Sequence, residues 1–253
     1  MKILIIGYGV VGQNMAKIFP DAAVIDPGRG MFPVTKSQRY DVGFICVPTE
    51  MLPGGAADVS VVNRAIDEHE KDCDVLCIKS AVPPGTTQIH IDAGVEIVVS
   101  PEYFGATQHA NAIDYDFVIL GGKPRDTERV ARAYQEVKSG AFRISQTDAR
   151  TAELVKYMEN AWIATKVTFC NEFALIAKTL RVSYQVLRDL WLEDPRVSRS
   201  HTFVYPDHPG WDSHCLNKDI PAIIQACQSS GYEPEFLQAM MENNTRHRGL
   251  PRS

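Results

Sequence analysis

The chain has 253 residues, of which 45% are hydrophobic and 23% are charged, and its formal net charge is −5. This composition is sufficient for a globular core, and the acidic balance excludes the basic surface typical of nucleic-acid-binding proteins. No stretch of about 18 apolar residues occurs, so we expect no membrane-spanning segment.

The first segment, KILIIGYGVVGQNMAKIF, predicts a buried strand, a glycine turn and a helix, and not a signal peptide. Its spacing Gly7-x-Gly9-x-x-Gly12 is that of a dinucleotide-binding turn. Gly7 permits the tight turn, Gly9 lets the backbone approach a pyrophosphate, and Gly12 lets helix and strand pack closely. The helix then begins at Val10 and Val11, where unpaired N–H groups face the phosphates.

The next predicted strand, AAVID, ends at Asp26, where the fingerprint places an acidic residue about 20 positions after the first glycine. A carboxylate there accepts hydrogen bonds from a ribose 2′-hydroxyl and repels a 2′-phosphate. The sequence therefore predicts NAD as the cofactor, in preference to NADP.

Strands and helices then alternate up to residue 146, which predicts a parallel doubly wound sheet and an NAD-binding Rossmann domain over residues 1–146. Thr86 and Thr87 are candidate caps of one of these helices. Ligands of such sheets lie beyond the carboxyl ends of the strands. Residues expected at that rim, beside the glycine turn, are Val47, Pro48, Thr49, Lys79, Ser80, Ala81, Pro101 and Glu102.

Residues 147–253 are predicted to form a mostly helical domain. No proline or glycine occurs from Thr147 to Leu180, so we expect one long helix there, capped by Thr147 or Asp148. It is apolar on more than one face, which predicts burial against the first domain and a second subunit, and hence a homodimer. A short helix, a loop over residues 194–210, a loop carrying Cys215, a last helix over Asp219–Glu242 and a frayed polar tail are expected after it.

Two groups of polar residues in this half are candidates for chemistry. Lys156 and Asn160 are four residues apart and share a helix face, although by themselves they fit a solvated stripe equally well. Cys215 precedes Lys218 by three residues and Asp219 by four, and nearby cations favour the reactive thiolate. The six cysteines are scattered without zinc-site spacing, so we expect no metal and reduced thiols in a cytoplasmic protein.

Several motifs in order make the chain similar to the UDP-glucose/GDP-mannose dehydrogenase family. The matching stretches are GYGVVG, IKSAVPPGTT, SPEYF, AELVKYMENAWIATKVTFCNEFALIA, EDPRV and HCLNKD. Members of this family oxidise the primary alcohol of a sugar nucleotide to a carboxylate with two molecules of NAD⁺, through a cysteine thiohemiacetal and thioester. The resemblance implies a small-molecule substrate of that kind or a related hydroxy compound.

The resemblance also assigns roles to residues. It makes Cys215 the nucleophile and Lys156 and Asn160 the groups that stabilise the oxyanion. It makes Asp219 and Glu102 the candidates for handling water and protons. Two further residues match positions associated with the substrate, namely Arg196, which the family directs across a subunit interface, and Lys218.

The chain departs from the family pattern at several points, and these keep two other functions open. Ala81 and Ala106 replace a threonine and a second glutamate, GWDSHC replaces a glycine-rich loop, and we expect the third, nucleotide-binding domain to be lacking. One alternative is a two-electron 3-hydroxyacid dehydrogenase, which needs no cysteine. The other is a degenerate NAD-binding protein without turnover.

Overall fold

The computed structural model of the protein describes residues 1–32, 39–103 and 116–249. The strands are β1 (Ile3–Ile6), β2 (Ala23–Ile25), β3 (Val42–Ile45), β4 (Glu50–Met51), β5 (Ala57–Asp58), β6 (Leu76–Ile78), β7 (Ile97–Val99), β8 (Phe117–Gly122) and β9 (Arg143–Thr147). The α-helices are α1 (Val10–Ile18), α2 (Ser60–His69), α3 (Thr86–Asp92), α4 (Pro124–Val137), α5 (Ala149–Thr179), α6 (Tyr184–Trp191), α7 (His214–Ser229) and α8 (Glu235–His247).

Seven strands form one sheet in the order β2-β1-β3-β6-β7-β8-β9, and β4 and β5 form a separate antiparallel pair. The first five strands of the sheet are parallel, as predicted for a doubly wound fold. The junction of β7 with β8 is antiparallel, and β9 is parallel to β8, so the sheet is mostly parallel and not wholly so. The predicted fold class is confirmed: a Rossmann-type α/β sheet followed by helices.

Both faces of this sheet are covered, which explains why its central strands read as continuous apolar runs. One face packs Ile3, Ile5 and Phe44 with residues of α1 and α4, and the other packs Leu4 and Ile6 with residues of α2 and α3. Alternate side chains of β1 thus enter opposite cores. The carboxyl ends of β1, β3, β6 and β7 consequently lie along one edge, where the sequence placed the candidate cofactor residues.

The chain divides into two compact units, unit 1 being Met1–Pro53 with Ala57–Lys156, and unit 2 being Gly54–Ala56 with the chain from Tyr157 onward. The division falls within α5, ten residues after the boundary placed at 146/147. The start of α5 belongs to unit 1 because Ala149 and Ala152 are fully buried in its core. Each unit is described below by itself.

The start of α3 differs from the prediction that Thr86 or Thr87 caps it. Its N-cap is Gly85, and neither threonine hydroxyl caps the helix. Instead the carboxylate of Glu153 accepts hydrogen bonds from the N–H groups of Gly85 (2.5 Å) and Thr87 (2.8 Å). Burial raises the pKa of Glu153, while the hydrogen bonds from Thr87 and Gly85 oppose that shift. A carboxylate from α5 thus takes the role that the sequence assigned to a local hydroxyl.

The helical half contains the predicted long helix but differs from the prediction beyond it. α5 runs for 31 residues, and Asp148 caps it by accepting from the N–H of Thr151 at 2.9 Å. The single last helix expected over Asp219–Glu242 is wrong, since α7 ends at Ser229 and α8 begins at Glu235. Gly231, with a φ of 83°, and Pro234 separate the two helices. The tail expected to fray is helical as far as His247.

Among the described residues, none of the helices combines the length and the apolar character that crossing a bilayer requires. The same residues contain no group of three or more His, Cys, Asp or Glu side chains placed to hold a metal ion.

Candidate active site

The glycine turn of unit 1 has the shape that a pyrophosphate requires. Gly7 has a φ of 93°, and a Cβ there would lie 2.8 Å from the carbonyl oxygen of Cys46. A Cβ on Gly12 would collide with the carbonyl oxygen of Gly7, whereas one on Gly9 would meet no atom within 4 Å. Gly9 is the N-cap of α1 and no side chain caps this end. Open space therefore faces the first N–H groups of α1, at Val10 and Val11, and the residues fit a dinucleotide.

Asp26 is held against this turn. One of its oxygens, Oδ2, accepts from the N–H of Tyr8 at 2.8 Å, and Oδ1 accepts from the N–H of Arg29 at 3.2 Å. These bonds orient the carboxylate beside the glycine turn, as an acceptor for a ribose hydroxyl must be. The sequence reasoning did not consider Arg29, whose Nε lies 3.8 Å from Oδ2 and whose side chain is 55% exposed. An exposed cation thus accompanies the Asp26 carboxylate.

Two predicted cofactor residues join neighbouring loops of the rim. Ser80 donates from Oγ to the carbonyl oxygen of Val47 at 2.6 Å, and Thr49 donates from Oγ1 to that of Ala81 at 3.1 Å. Both hydroxyl residues are buried, whereas Pro48, which precedes Thr49, is exposed. Ser80 and Thr49 therefore connect the loops after β3 and β6, and stabilise the surface that a cofactor would meet.

A buried ion pair lies beneath the same rim. Lys79 is 3% exposed, and its Nζ lies 3.1 Å from Oε2 of Glu102, 3.1 Å from Oγ of Ser100 and 3.5 Å from the hydroxyl of Tyr134. Burial by itself would lower the pKa of Lys79, but Glu102 and Tyr134 outweigh it, and the pKa is raised above its ordinary value. Glu102 is therefore held beneath the rim by a buried ion pair with Lys79.

Lys156 and Asn160 occupy successive turns of α5. Lys156 is half-buried, and its Nζ lies 5.0 Å from the centre of the Tyr103 ring, within the range of a cation–π contact. Asn160 is 4% exposed and belongs to unit 2. Neither residue lies on a solvated stripe, so this simpler interpretation of the pair does not hold.

Unit 2 brings Asn160, Asp219 and Lys218 together. Asn160 donates from Nδ2 to Oδ2 of Asp219 at 2.6 Å, and Nζ of Lys218 lies 2.6 Å from Oδ1 of the same carboxylate. Asp219 is 2% exposed and Lys218 is 7% exposed. The motif Cys-x-x-Lys-Asp thus places a paired, buried carboxylate one helical turn after the cysteine.

Cys215 lies in the first turn of α7, and not in a loop as expected. Ser213 is the N-cap and accepts from the N–H of Leu216 at 3.2 Å, so Cys215 is the second helical residue. Its side chain is exposed. A helix N-terminus, with unpaired N–H groups and a positive dipole end, is a position that favours a thiolate.

The other cysteines have different environments. Cys46, Cys73, Cys77 and Cys170 are buried, and Cys227 is intermediate in exposure. Burial raises the pKa of Cys73 and of Cys77 to about 12 each, and raises those of Cys46 and Cys170 as well. These four thiols are therefore neutral and inert, which leaves Cys215 as the exposed candidate nucleophile.

The segment before Cys215 was expected to add bulk around the substrate, and Trp211 does not. Its side chain is 6% exposed and packs in a core with Leu216, Ile220, Met240 and other residues of unit 2. Asp212, Ser213 and His214 are exposed, so these three residues carry the added polarity to the surface.

Arg196 lies at the surface of unit 2. Its side chain is 88% exposed and is paired with Asp194, two residues earlier, through three hydrogen bonds. Ala106 lies outside the described residues.

Sequence reasoning missed the partners of the candidate groups more than the groups themselves. Lys79 was placed at the rim without a role, and its signal was a lysine directly after an apolar strand. Arg29 follows Asp26 by three residues, within reach of any turn that ends the strand. No local signal marked Glu153 as the cap of α3, because its partners lie 66 and 68 residues away.

The fold and the glycine turn define an α/β dinucleotide-binding protein with a helical second half. The chain belongs to the UDP-glucose/GDP-mannose dehydrogenase family. The model of its NAD-binding domain matches residues 32–138, and that of its central domain matches residues 150–246. The resemblance inferred from the motifs is confirmed, and the cofactor that this family membership implies is NAD. The glycine turn precedes the first matched range, so its assignment rests on geometry.

Named relatives agree with this membership. The UDP-glucose 6-dehydrogenase of Haloferax volcanii is 28% identical over 227 residues, which cover 81% of this chain and 52% of that protein. A UDP-glucose dehydrogenase from Pyrobaculum islandicum has a similar structure, with a TM-score of 0.79 and 24% identity, covering 97% of this chain and 68% of that one. The Mycobacterium tuberculosis 3-hydroxyisobutyrate dehydrogenase shares the fold at a TM-score of 0.72 and 19% identity, covering 98% and 95%. The chain spans about half the length of the curated relatives it matches.

Proposed function

We propose that this chain carries out the NAD-dependent oxidation of a sugar nucleotide, from primary alcohol to carboxylate, with Cys215 as a covalent nucleophile. The observation that carries the proposal is the placement of an exposed thiol in the first turn of α7, one turn before a buried Asp219 bonded to Asn160. Family membership supplies the reaction class. A two-electron dehydrogenase would need no such thiol.

The cofactor half of the proposal rests on unit 1. Gly7, Gly9 and Gly12 would admit the pyrophosphate, and Asp26 would bind the adenosine ribose. NAD⁺ held there would supply the hydride acceptor for each of the two oxidations. The rim residues Ser80 and Thr49 would support the surface beside the nicotinamide, because their hydroxyls hold the loops after β3 and β6 together.

The covalent half of the proposal uses Cys215. Its thiolate adds to the carbonyl carbon of the aldehyde formed by the first oxidation, and the resulting oxyanion takes a proton to give a thiohemiacetal. Loss of a hydride from that carbon and of the hydroxyl proton gives a thioester. Water then adds to the thioester carbon, and the thiolate leaves as the carboxylate forms. The sequence of steps restores Cys215 without any other oxidant.

The remaining candidate groups would stabilise charge and move protons in these steps. Lys156 and Asn160 would donate to the oxyanion, and a fixed amide is suited to this because it need not reorganise. Glu102 would accept a proton from the attacking water, and its ion pair with Lys79 would hold the carboxylate in place for this role. Asp219 would orient Asn160. We propose that Lys218 and Arg196 contact the substrate phosphates, as their charge permits.

We also propose that the protein is a homodimer built on α5. Large apolar side chains are exposed along this helix and on α6. The Phe169 ring packs, tilted, against the Phe173 ring with centroids 4.6 Å apart and against the Trp191 ring with centroids 5.8 Å apart. A contiguous aromatic surface of this kind commonly marks an interface. Phe169→Glu should convert a dimer to a monomer in sedimentation equilibrium, whereas Ile89→Glu, at an exposed apolar site in unit 1, should not. A monomeric unsubstituted protein at micromolar concentration would contradict the proposal.

The proposed setting of the protein is the cytoplasm. All six cysteines are free thiols, which fits a reducing compartment. Free thiols are also what the proposed chemistry needs, because an oxidised Cys215 could not attack an aldehyde.

A second candidate function is the two-electron oxidation of a small 3-hydroxyacid. The observation in its favour is the shared fold, since the structure of a 3-hydroxyisobutyrate dehydrogenase matches this chain with a TM-score of 0.72. Lys156 and Asn160 on one helix suit such a reaction too. A third candidate, NAD binding without turnover, is supported by Ala81 and Ala106, which replace polar residues of the family pattern.

Peptide-resolved alkylation tests the role of Cys215. Iodoacetamide at neutral pH should label Cys215 faster than Cys227, and far faster than the four buried cysteines. A sugar nucleotide at the aldehyde level should protect Cys215 and leave Cys227 unaffected. Equal labelling of Cys215 and Cys227, with no protection, would remove the nucleophile from the mechanism.

A further inference from the structure

Asn244 on α8 clamps the peptide that leads into α7. It is 4% exposed, and its side-chain amide bonds both main-chain groups of Trp211. Oδ1 accepts from the N–H of Trp211 at 2.8 Å, and Nδ2 donates to its carbonyl oxygen at 3.0 Å. Two opposed hydrogen bonds to one residue fix both its position and its orientation, and burial makes each costly to lose.

The clamp is reinforced from α5. The indole N–H of Trp211 donates to Oγ1 of Thr168 at 3.1 Å, and the N–H of Gly210 donates to Oδ1 of Asn171 at 3.0 Å. Gly210 has a φ of 76°, and a Cβ there would collide with Oδ1 of Asn244. The glycine thus permits the close approach of the Asn244 side chain, which a larger residue would prevent.

The bonded segment continues to the start of α7. Asp212 accepts from Nδ2 of Asn217 at 2.7 Å and pairs with Arg248, which follows α8. Ser213 then caps α7, and Cys215 is two residues further on. Side chains thus bond Gly210, Trp211 and Asp212 in turn, and Asn244 bonds Trp211 at two points from a buried position.

We infer that Asn244 is a positioning residue for Cys215. It acts through Trp211, by fixing the turn whose end caps α7, and so keeps the N–H groups of the first helical turn directed at the thiol. The inference rests on the proposed function for its catalytic consequence, but the placement of Cys215 can be tested without turnover.

The test compares Asn244→Ala with Asn243→Ala, whose side chain bonds only Arg246 at the surface. Cys215 is already exposed, so fraying of the first turn adds no access and removes the helix N–H groups that favour the thiolate. We expect Asn244→Ala to slow iodoacetamide labelling of Cys215 about two- to fivefold, the range of a helix-dipole effect. Hydrogen exchange of the Trp211 amide should become faster, while NAD binding stays unchanged. Asn243→Ala should match the unsubstituted protein.

If Asn244→Ala fails to fold, Asn244→Asp carries the same test, because it keeps the acceptor for the Trp211 N–H and removes the Nδ2 donor to the Trp211 carbonyl oxygen. Unchanged labelling of Cys215 in a folded Asn244→Ala protein, or in Asn244→Asp where that variant stands in, overturns the inference. Slower labelling in a chain that oxidises no sugar nucleotide upholds the inference and contradicts the proposed function. Unchanged labelling of Cys215 in the Asn244 variant, combined with sugar-nucleotide oxidation by the unsubstituted protein, overturns the inference and upholds the proposed function.

Discussion

Asn160 on α5 and Asp219 on α7 are joined by a hydrogen bond of 2.6 Å between residues that are 4% and 2% exposed. Nζ of Lys218 lies 2.6 Å from the other oxygen of Asp219. The buried carboxylate is accommodated because Oδ2 accepts a hydrogen bond from Asn160 and Oδ1 lies beside the ammonium group of Lys218. The pair therefore fixes the second turn of α7, and with it the first turn that carries Cys215, relative to the long helix.

Replacing Asn160 by Ala should lower the free energy of unfolding by about 1–3 kcal/mol, because it leaves a buried carboxylate oxygen without its donor. Urea denaturation monitored by circular dichroism measures the change. Asn217→Ala is the matched control, since its side chain bonds Asp212 at the surface, and it should cost no more than about 0.5 kcal/mol. Equal decreases in the free energy of unfolding for the two variants would show that the buried Asn160–Asp219 hydrogen bond does not stabilise the protein.

The glycine turn predicts opposite outcomes for two neighbouring substitutions. Gly9→Ala should fold normally, because its Cβ meets no atom within 4 Å, yet it should weaken NAD binding tenfold or more by filling the space of the pyrophosphate. Gly12→Ala should destabilise the protein itself, since its Cβ collides with the carbonyl oxygen of Gly7. Thermal unfolding with and without NAD separates the effects. A Gly9→Ala protein that binds NAD normally would place the cofactor elsewhere.

Cofactor preference should depend on Asp26 and Arg29 together. Asp26→Ser removes the repulsion of a 2′-phosphate and leaves the guanidinium, so NADP should bind more tightly and NAD more weakly. The double variant Asp26→Ser, Arg29→Ala should lose the gain in NADP affinity. Titration calorimetry with both cofactors measures this. If the unsubstituted protein binds NAD and NADP equally well, Asp26 is not at the ribose.

Stability should fall as the pH drops below about 6.5, the ordinary histidine value. Burial is the largest cause that lowers the pKa of His90, His201 and His247, so the unfolded chain binds protons more readily than the folded one. Protonation then favours unfolding, and the full contribution is present only above the unfolded pKa. Urea midpoints at pH 7.5 and 5.5 test the sign. Replacing the three histidines by Gln should reduce the difference between the two urea midpoints. Replacing the exposed His208 should leave that difference unchanged.

Local patterns in the sequence predicted the local structure well. The strand, turn and helix around Gly7 and the uninterrupted α5 depend on residue types within a few positions of one another, so no distant contact was needed to infer them. The cysteine motif is different, because it was expected in a loop and Ser213 was not recognised as the cap that starts α7 before Cys215.

Long-range contacts account for the features that the sequence did not reveal. The direction of β8 depends on the path of the chain from β7, which no residue pattern encodes. Asn244 stood in a polar segment expected to fray, yet its partner Trp211 is 33 residues earlier, and packing of α8 buries both. The division of the last helix had a local signal in Gly231 and Pro234, but the apolar run on either side suggested one continuous helix.

The stoichiometry of cofactor reduction tests the proposed four-electron oxidation most directly. UDP-glucose, GDP-mannose and UDP-N-acetylmannosamine would each be supplied in limiting amount with excess NAD, and NADH would be counted per substrate consumed. We predict two NADH per molecule of the accepted substrate with a uronate product, and loss of this turnover in Cys215→Ser with NAD binding retained. One NADH per substrate, or no NADH with any of the three, would contradict the proposed function.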